Sequence, residues 1–193
     1  MAYFSGQGNV TVAPLVGNEV KLPLLASYVS VGNVPDFKVS LATTVAEHKE
    51  STSGNRLTDG RLIKENKATV SMTLEDMSIA NLTLALYGGT VTTVSEPTTQ
   101  VAAPALTAAP AVFMFTGAPT YKAVRFDGKN TANSNSRVIV DLFKVMFDPL
   151  KTLDIIQDDF AKWQLEGSAI YSQSLVAGSD ATVLGGFGRV IVL

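Results

Sequence analysis

From Lys67 to Glu75 the sequence alternates without a break. Ala68, Val70, Met72 and Leu74 fall on one side, and Lys67, Thr69, Ser71, Thr73 and Glu75 on the other. Only a backbone with a side-chain period of two puts every apolar residue of such a run on one face, so the segment reads as a half-buried antiparallel strand. Val39, Leu41, Thr43 and Val45 oppose Lys38, Ser40, Ala42 and Thr44 in the same way. The pattern returns where Trp163, Leu165, Ala169 and Tyr171 oppose Lys162, Gln164, Glu166 and Ser168. Further strands are expected over 25–31, 112–116, 122–126, 137–147 and 187–192. Many strands with turn residues between them indicate a mainly β fold, a β-sandwich or barrel.

One segment has a different period. Ile79, Leu82, Leu84 and Leu86 recur at helical spacing between Ser78 and Tyr87. Ser78 is a suitable N-cap, Glu75 and Asp76 precede the positive end of the helix dipole, and Gly88-Gly89 offers a left-handed stop. This predicts a single short α-helix flanking the sheet and covering an open edge or end of it.

Two stretches fit no core element. Residues 48–66 are polar and carry Lys49, Glu50, Arg56, Asp59, Arg61, Lys64 and Glu65, with Gly54 and Gly60 among them. A connection of that length exceeds an ordinary hairpin turn, so it is expected to be a long extended loop, either disordered or ordered against something else. Residues 97–111, with Pro97, Pro104 and Pro110 among alanines and threonines, are expected to be an extended Pro/Ala/Thr-rich connection. No internal repeat divides the 193 residues, so a single domain over 1–193 is the expectation.

Composition excludes several function classes. With 46% hydrophobic and 17% charged residues the chain has enough apolar surface for a core. The absence of cysteine removes disulfides, thiolate metal sites and cysteine nucleophiles. No basic segment followed by an apolar run opens the sequence, and no stretch approaches the roughly 20 apolar residues of a membrane span. A soluble protein remaining in the cytoplasm, without membrane insertion, is expected. A formal net charge of -2 gives no electrostatic reason for tight nucleic-acid binding.

Catalysis finds little support. His48 is the sole histidine and has Glu47 and Glu50 beside it, but no evident base partner. Asp154, Asp158 and Asp159 lack the glycine and spacing of a calcium loop and suit a turn better. Gly185-Gly186-Phe187-Gly188 is followed by neither lysine nor helix, so it reads as a turn before a last strand and not as a phosphate cradle. Trp163 and the Phe113/Phe115 pair have the chemistry to stack on sugars or bases, but Trp163 sits on an apolar strand face. No catalytic, cofactor-binding or metal residue is expected, and no enzyme activity.

A resemblance adds to these readings. The run Leu41–Arg56 (LATTVAEHKESTSGNR), then Lys67–Asp76 (KATVSMTLED), then Asn81–Gly88 (NLTLALYG) resembles the tail tube proteins of long-tailed, siphovirus-type phages and prophages. Trp163–Ala169 (WQLEGSA) is similar to that family's closing strand. The resemblance implies a tail-tube β-sandwich with one flanking helix, six subunits per ring and rings stacked into a tube. It implies self-association, with a tape-measure protein, a tail terminator and tail-tip proteins as partners. Genomic DNA would pass through the lumen without specific binding, repelled by inward carboxylates. Location would be the virion tail, after assembly in the host cytoplasm. Residues 48–66 would then be the inter-subunit arm, with Lys49, Glu50, Arg56, Asp59 and Arg61 setting register and Leu57, Leu62 and Ile63 as apolar anchors. The Gly-rich N-terminal segment and the strand at 190–193 are second candidates for such contacts. The competing readings are a contractile-tail or type VI secretion-like inner tube protein, and a β-sandwich binding or decoration module.

Overall fold

A computed structural model describes residues 5–15, 21–51, 56–89, 91–94, 109–132, 136–156, 161–177 and 182–193. The elements are β1 (Gly6–Pro14), β2 (Lys21–Leu22), β3 (Val29–Ser30), β4 (Asp36–Lys49), β5 (Thr58–Leu74), α1 (Ile79–Ala85), β6 (Thr92–Val94) and β7 (Ala109–Ala111). After them come β8 (Lys122–Asn130), β9 (Ser136–Phe147), β10 (Trp163–Ala169), β11 (Ser172–Ala177), β12 (Thr182–Gly186) and β13 (Gly188–Val192). The fold is mainly antiparallel β with one short α-helix, as the alternation indicated. Eight strands form one sheet of order β3-β1-β8-β9-β10-β5-β4, with β13 added on β9.

The sheet closes towards a barrel, and chain reach requires it. The two ends of the order, β3 and β4, are joined by residues 31–35 alone. From Ser30 to Asp36 the backbone spans at most about 20 Å. Laid flat, the six strand spacings between β3 and β4 would separate them by about 29 Å. The sheet must therefore curl, and Phe37 of β4 stacks on Phe126 of β8 across the interior at 6.0 Å between ring centroids. Inside the curl lie Val10, Val12, Val70, Met72, Leu74, Val124, Leu142, Val145, Phe147 and Leu165.

β10 and β13 both pair with β9, β10 opposite residues 145–147 and β13 opposite 138–142. They are two pieces of one lane on the same side of β9, interrupted by the β11–β12 hairpin. The second piece is held by charge as well as by the ladder. Asp141 of β9, 1% exposed, accepts two hydrogen bonds from Arg125 of β8 (2.6 and 3.0 Å) and one from Arg189 of β13 (2.8 Å). Its carboxylate also holds the Arg125 guanidinium pKa above its ordinary value, chiefly through that hydrogen bonding. Arg125 further lies over the Tyr28 ring at 5.2 Å. Gly188 is required here, because a Cβ would strike the Asp141 carbonyl oxygen.

The helix starts where expected, with the Asn81 amide donating to the Ser78 hydroxyl at 3.3 Å. Its stop differs from the expectation. Tyr87, not a glycine, takes the left-handed conformation (φ 49°), and the Gly88 amide reaches back to the Thr83 carbonyl at 2.9 Å. That back-bond is the longer one of a Schellman cap, which Tyr87 enters because its hydroxyl is tied to the Phe147 carbonyl at 2.6 Å. Asn81, buried, donates to the carbonyls of Val31 and Asp76, both at 2.9 Å. The helix is thereby fixed at the end of the curl where β3 crosses to β4.

Several expected strands are corrected. Residues 112–116 form an exposed turn, with Phe115 at φ 56° and its amide bonded to the Leu86 carbonyl at 2.9 Å. Apolar residues there are consecutive because they sit on a turn bound to the helix end, not because a buried strand runs through them. The segment 25–31 is a 3-10 turn (Leu25–Ser27) followed by the two-residue β3. β10 ends at Ala169, leaving Tyr171 exposed against Phe187 and not on an apolar strand face. The Gly-rich N-terminal segment is no free arm, since Gly6–Pro14 pairs with β8 along its whole length. A Cβ on Gly8 would come within 2.5 Å of the Asp127 carbonyl oxygen, so glycine there permits close strand approach. Most of the Pro/Ala/Thr connection, 97–108, lies outside the described residues, and its end, Ala109–Ala111, pairs with β6.

Candidate assembly surface

The stretch 48–66 is for the most part not a loop. β4 and β5 pair from Asp36↔Thr73 out to Lys49↔Thr58, so both edges of the expected loop are strand. The Glu50 amide continues the hairpin by bonding to the Leu57 carbonyl at 2.9 Å. β5 is supported by β10 only as far as Ala68, opposite Ala169. Beyond that point β4 and β5 run on as a two-stranded arm. The alternation is lost there because neither face of the arm is buried, and a period-two signal needs one buried face.

Each expected contact residue falls on this arm. Lys49 ends β4, Asp59, Arg61, Leu62 and Ile63 belong to β5, and Glu50, Arg56 and Leu57 border the tip. Arg56 takes a left-handed conformation, φ 50°. The three apolar anchors are exposed: Leu57 60%, Leu62 67% and Ile63 59%. Leu41, at the base of the arm, is 77% exposed. Isolated exposed aliphatic side chains are ordinary, but four on one thin ribbon are not, because a two-stranded hairpin has no core of its own to repay them.

His48 also lies on the arm, and the structure gives it a partner that sequence reading missed. Its Nδ1 stands 2.6 Å from the Asp59 carboxylate, and both side chains are open to solvent. The register shift between His48 and Lys49 leaves Asp59 as an extra residue in β5, which brings it back towards His48. The pair ties the two strands together near the tip.

The sheet leaves edges open as well. Among the described residues nothing pairs with the outer edge of β4, and β13 has a partner on one side only. Val190 and Val192 of β13 and the following Leu193 are each about two-thirds exposed, at 66%, 69% and 67%. An unpaired edge is a template for another chain's strand unless it is blunted, and the two bulges in β5 and the short length of β13 are such blunting devices.

The remaining candidates fall elsewhere. Trp163 is buried at 2% exposure, packed in the core and not presented to a ligand. Asp158 and Asp159 lie outside the described residues, and Asp154 is exposed. Gly185 and Gly186 end β12 and Gly188 begins β13, with no helix after them. No cluster of metal-binding side chains occurs among the described residues. No helix among them is long and apolar enough to cross a membrane. An open apolar cleft of about 1020 Å³ lies between β4, β8, β9 and β13, lined by Phe37, Val39, Leu41, Phe126, Leu142 and Val190 among others.

Comparison with known proteins gives one family and one likeness of shape. The profile of a family described as "Protein of unknown function UCP028589" matches residues 3–115 and 105–191. No curated protein matches the sequence. Among solved structures the chain is similar to one from the "Tail of empty GTA particle computed with helical refinement, C6 symmetry". The TM-score is 0.41 at 8% identity, covering 92% of this chain and 94% of that one.

Proposed function

This chain belongs to the UCP028589 family, and we propose that it is a structural subunit of a phage-type tail tube, assembling with its own copies into stacked six-membered rings. The observation that carries the reading is the arm, two strands long and thin, exposed on both faces and bearing Leu41, Leu57, Leu62 and Ile63 in water. Such an element costs solubility in a lone subunit and gains cover only against another molecule. The resemblance of 41–89 and 163–169 to tail tube proteins supports the choice of that molecule as a second subunit. Contacts between unlike surfaces close into rings laterally and stack without limit axially, which is the symmetry a tube needs.

The role is mechanical, with no catalysis in it. The tube would give DNA a passage in the virion tail, bounded by a tape-measure protein inside, a terminator at one end and tip proteins at the other. The test is negative-stain electron microscopy over a concentration series. Rings or hollow tubes are expected from the intact chain. Replacing residues 45–64 by an Asn-Gly turn shortens the arm and spares the barrel, and should leave a folded monomer. Saturable ligand binding by a subunit that stays monomeric at every concentration would sink the tube and favour a binding module.

A further inference from the structure

The face of β8 that turns into the barrel carries Val124 and Phe126, and the same alternation puts Lys122 beside them. The register agrees. Phe126, Val124 and Lys122 oppose Val10, Val12 and Pro14 of β1 in an unbroken ladder, and on the other side Lys122 opposes the buried Val145 of β9. Directly opposed residues of an antiparallel ladder point to the same side. A lysine therefore stands on the apolar face of the barrel, at the end where the helix packs. An ammonium is costly to bury there unless an acid meets it. Among the described residues Lys122 has no acidic partner, and burial alone holds its amine below the pKa of an ordinary lysine.

Lys122 lines a cavity of about 410 Å³ between α1 and the barrel, whose walls include Val12, Val31, Leu84 and Phe147. Small-molecule sites are typically cavities of roughly 300–1,000 Å³, mostly apolar with a few placed polar groups. Among the described residues Lys122 is the one charged group in this lining. The polar neighbours are committed elsewhere. Asn81 donates to the Val31 and Asp76 carbonyls, the Tyr87 hydroxyl to the Phe147 carbonyl, and the Thr83 hydroxyl to the Ile79 carbonyl at 2.7 Å. What remains for a ligand is one cationic donor in an apolar setting. A phosphate or a dicarboxylate brings a second negative charge with nothing to meet it. A neutral apolar ligand leaves the ammonium desolvated and unpaired. A monocarboxylate with an apolar body satisfies both the charge and the walls. An Asp or Glu side chain of another polypeptide carries the same carboxylate on a stem too short to fill the cavity, which favours a free ligand.

We propose that the cavity between α1 and the barrel is a binding site for an apolar monocarboxylate, with the ligand's carboxylate paired to Lys122 and its body against Val12, Leu84 and Phe147. The site is separate from the arm and does not depend on the tube reading. The test is calorimetric titration of the intact chain with octanoate, and with octanol as the uncharged counterpart. Octanoate should saturate one site with a Kd of about 1 mM or tighter, which a ligand of its size can reach. Lys122→Met keeps an unbranched stem and removes the charge. It should weaken octanoate by about tenfold or more, the size of a lost charge-assisted hydrogen bond, and leave octanol within about twofold. Ala80→Trp, at an exposed helix position on the cavity wall, should occupy the space and weaken both ligands. Both variants should melt no lower than the wild type, since one removes an unpaired charge and the other changes an exposed residue. No saturable binding of octanoate up to about 10 mM, equal octanoate affinity in Lys122→Met, or octanoate binding untouched by Ala80→Trp would each overturn the site. Ring or tube formation enters none of these outcomes, so the tube reading stands or falls separately.

Discussion

β5 is one strand with two lives. Its inner half, residues 68–74, alternates buried and half-buried and packs between β4 and β10, whereas its outer half, residues 58–67, is exposed at nearly every position. The backbone geometry is the same in both and the ladder to β4 is continuous. What differs is the neighbour. The inner half has a second strand and a filled interior behind it, so each of its apolar side chains gains burial worth roughly 1.5–3 kcal/mol. The outer half has cross-strand pairs alone, each contributing roughly 0.2–1 kcal/mol. Strand formation therefore does not itself distinguish a core strand from an exposed ribbon; burial of a face does.

The comparison can be broken by substitutions that should tell barrel from arm. The largest effect is expected at Asp141. Asp141→Ala leaves Arg125 and Arg189 without their shared carboxylate, and should destabilise the subunit by about 3–5 kcal/mol in urea unfolding. A loss under about 1 kcal/mol would mean that water reaches both guanidinium groups and that the latch on β13 is unimportant. Next come two leucines of the same size in the two settings. Leu165→Ala, in the barrel at 0% exposure, should cost about 2–5 kcal/mol. Leu62→Ala, on the arm, should stay within about 0.5 kcal/mol for the lone subunit. Equal losses would show that the arm is part of the folding core after all.

The smallest effect belongs to an exposed pair on the barrel. Arg137 donates two hydrogen bonds to Asp127, at 2.9 and 2.6 Å, and this bonding chiefly holds the Asp127 carboxyl below its ordinary pKa. A depressed carboxyl pKa contributes stability that is complete above the unfolded value of about 4. That contribution is lost as pH falls through the lower folded value. Wild type and Asp127→Asn should therefore differ slightly in melting temperature at neutral pH and converge in acid. A difference that grows in acid would refute the assignment, and added salt should shrink it at neutral pH.

How much was legible depended on burial. The inner half of β5, β10 and the helix with its Ser78 cap were visible because one face of each is covered, and covering writes a period into the sequence; β4 carries the same period although Val39 and Leu41 are exposed in the subunit. The arm was set apart from the core by its charge and length, but was read as a loop because a ribbon wetted on both faces carries no period. β1 was missed because Gly6 and Gly8 look like a flexible tail, when they permit close approach to β8. The Arg125–Asp141–Arg189 cluster left no signal at all. Its three members lie 16 and 48 residues apart and meet only because β8 and β13 take their particular registers on β9.

By itself, then, the sequence determined the class of fold, the position of the single helix and the residues with no place in a core, because local periodicity and capping are properties of neighbouring residues. Tertiary structure decided the curl that brings β3 within chain reach of β4, the latch on β13 and the extension of the β4–β5 ladder out to Lys49. Those depend on which strands pair and in what register, a choice made by contacts between distant segments that no local pattern encodes.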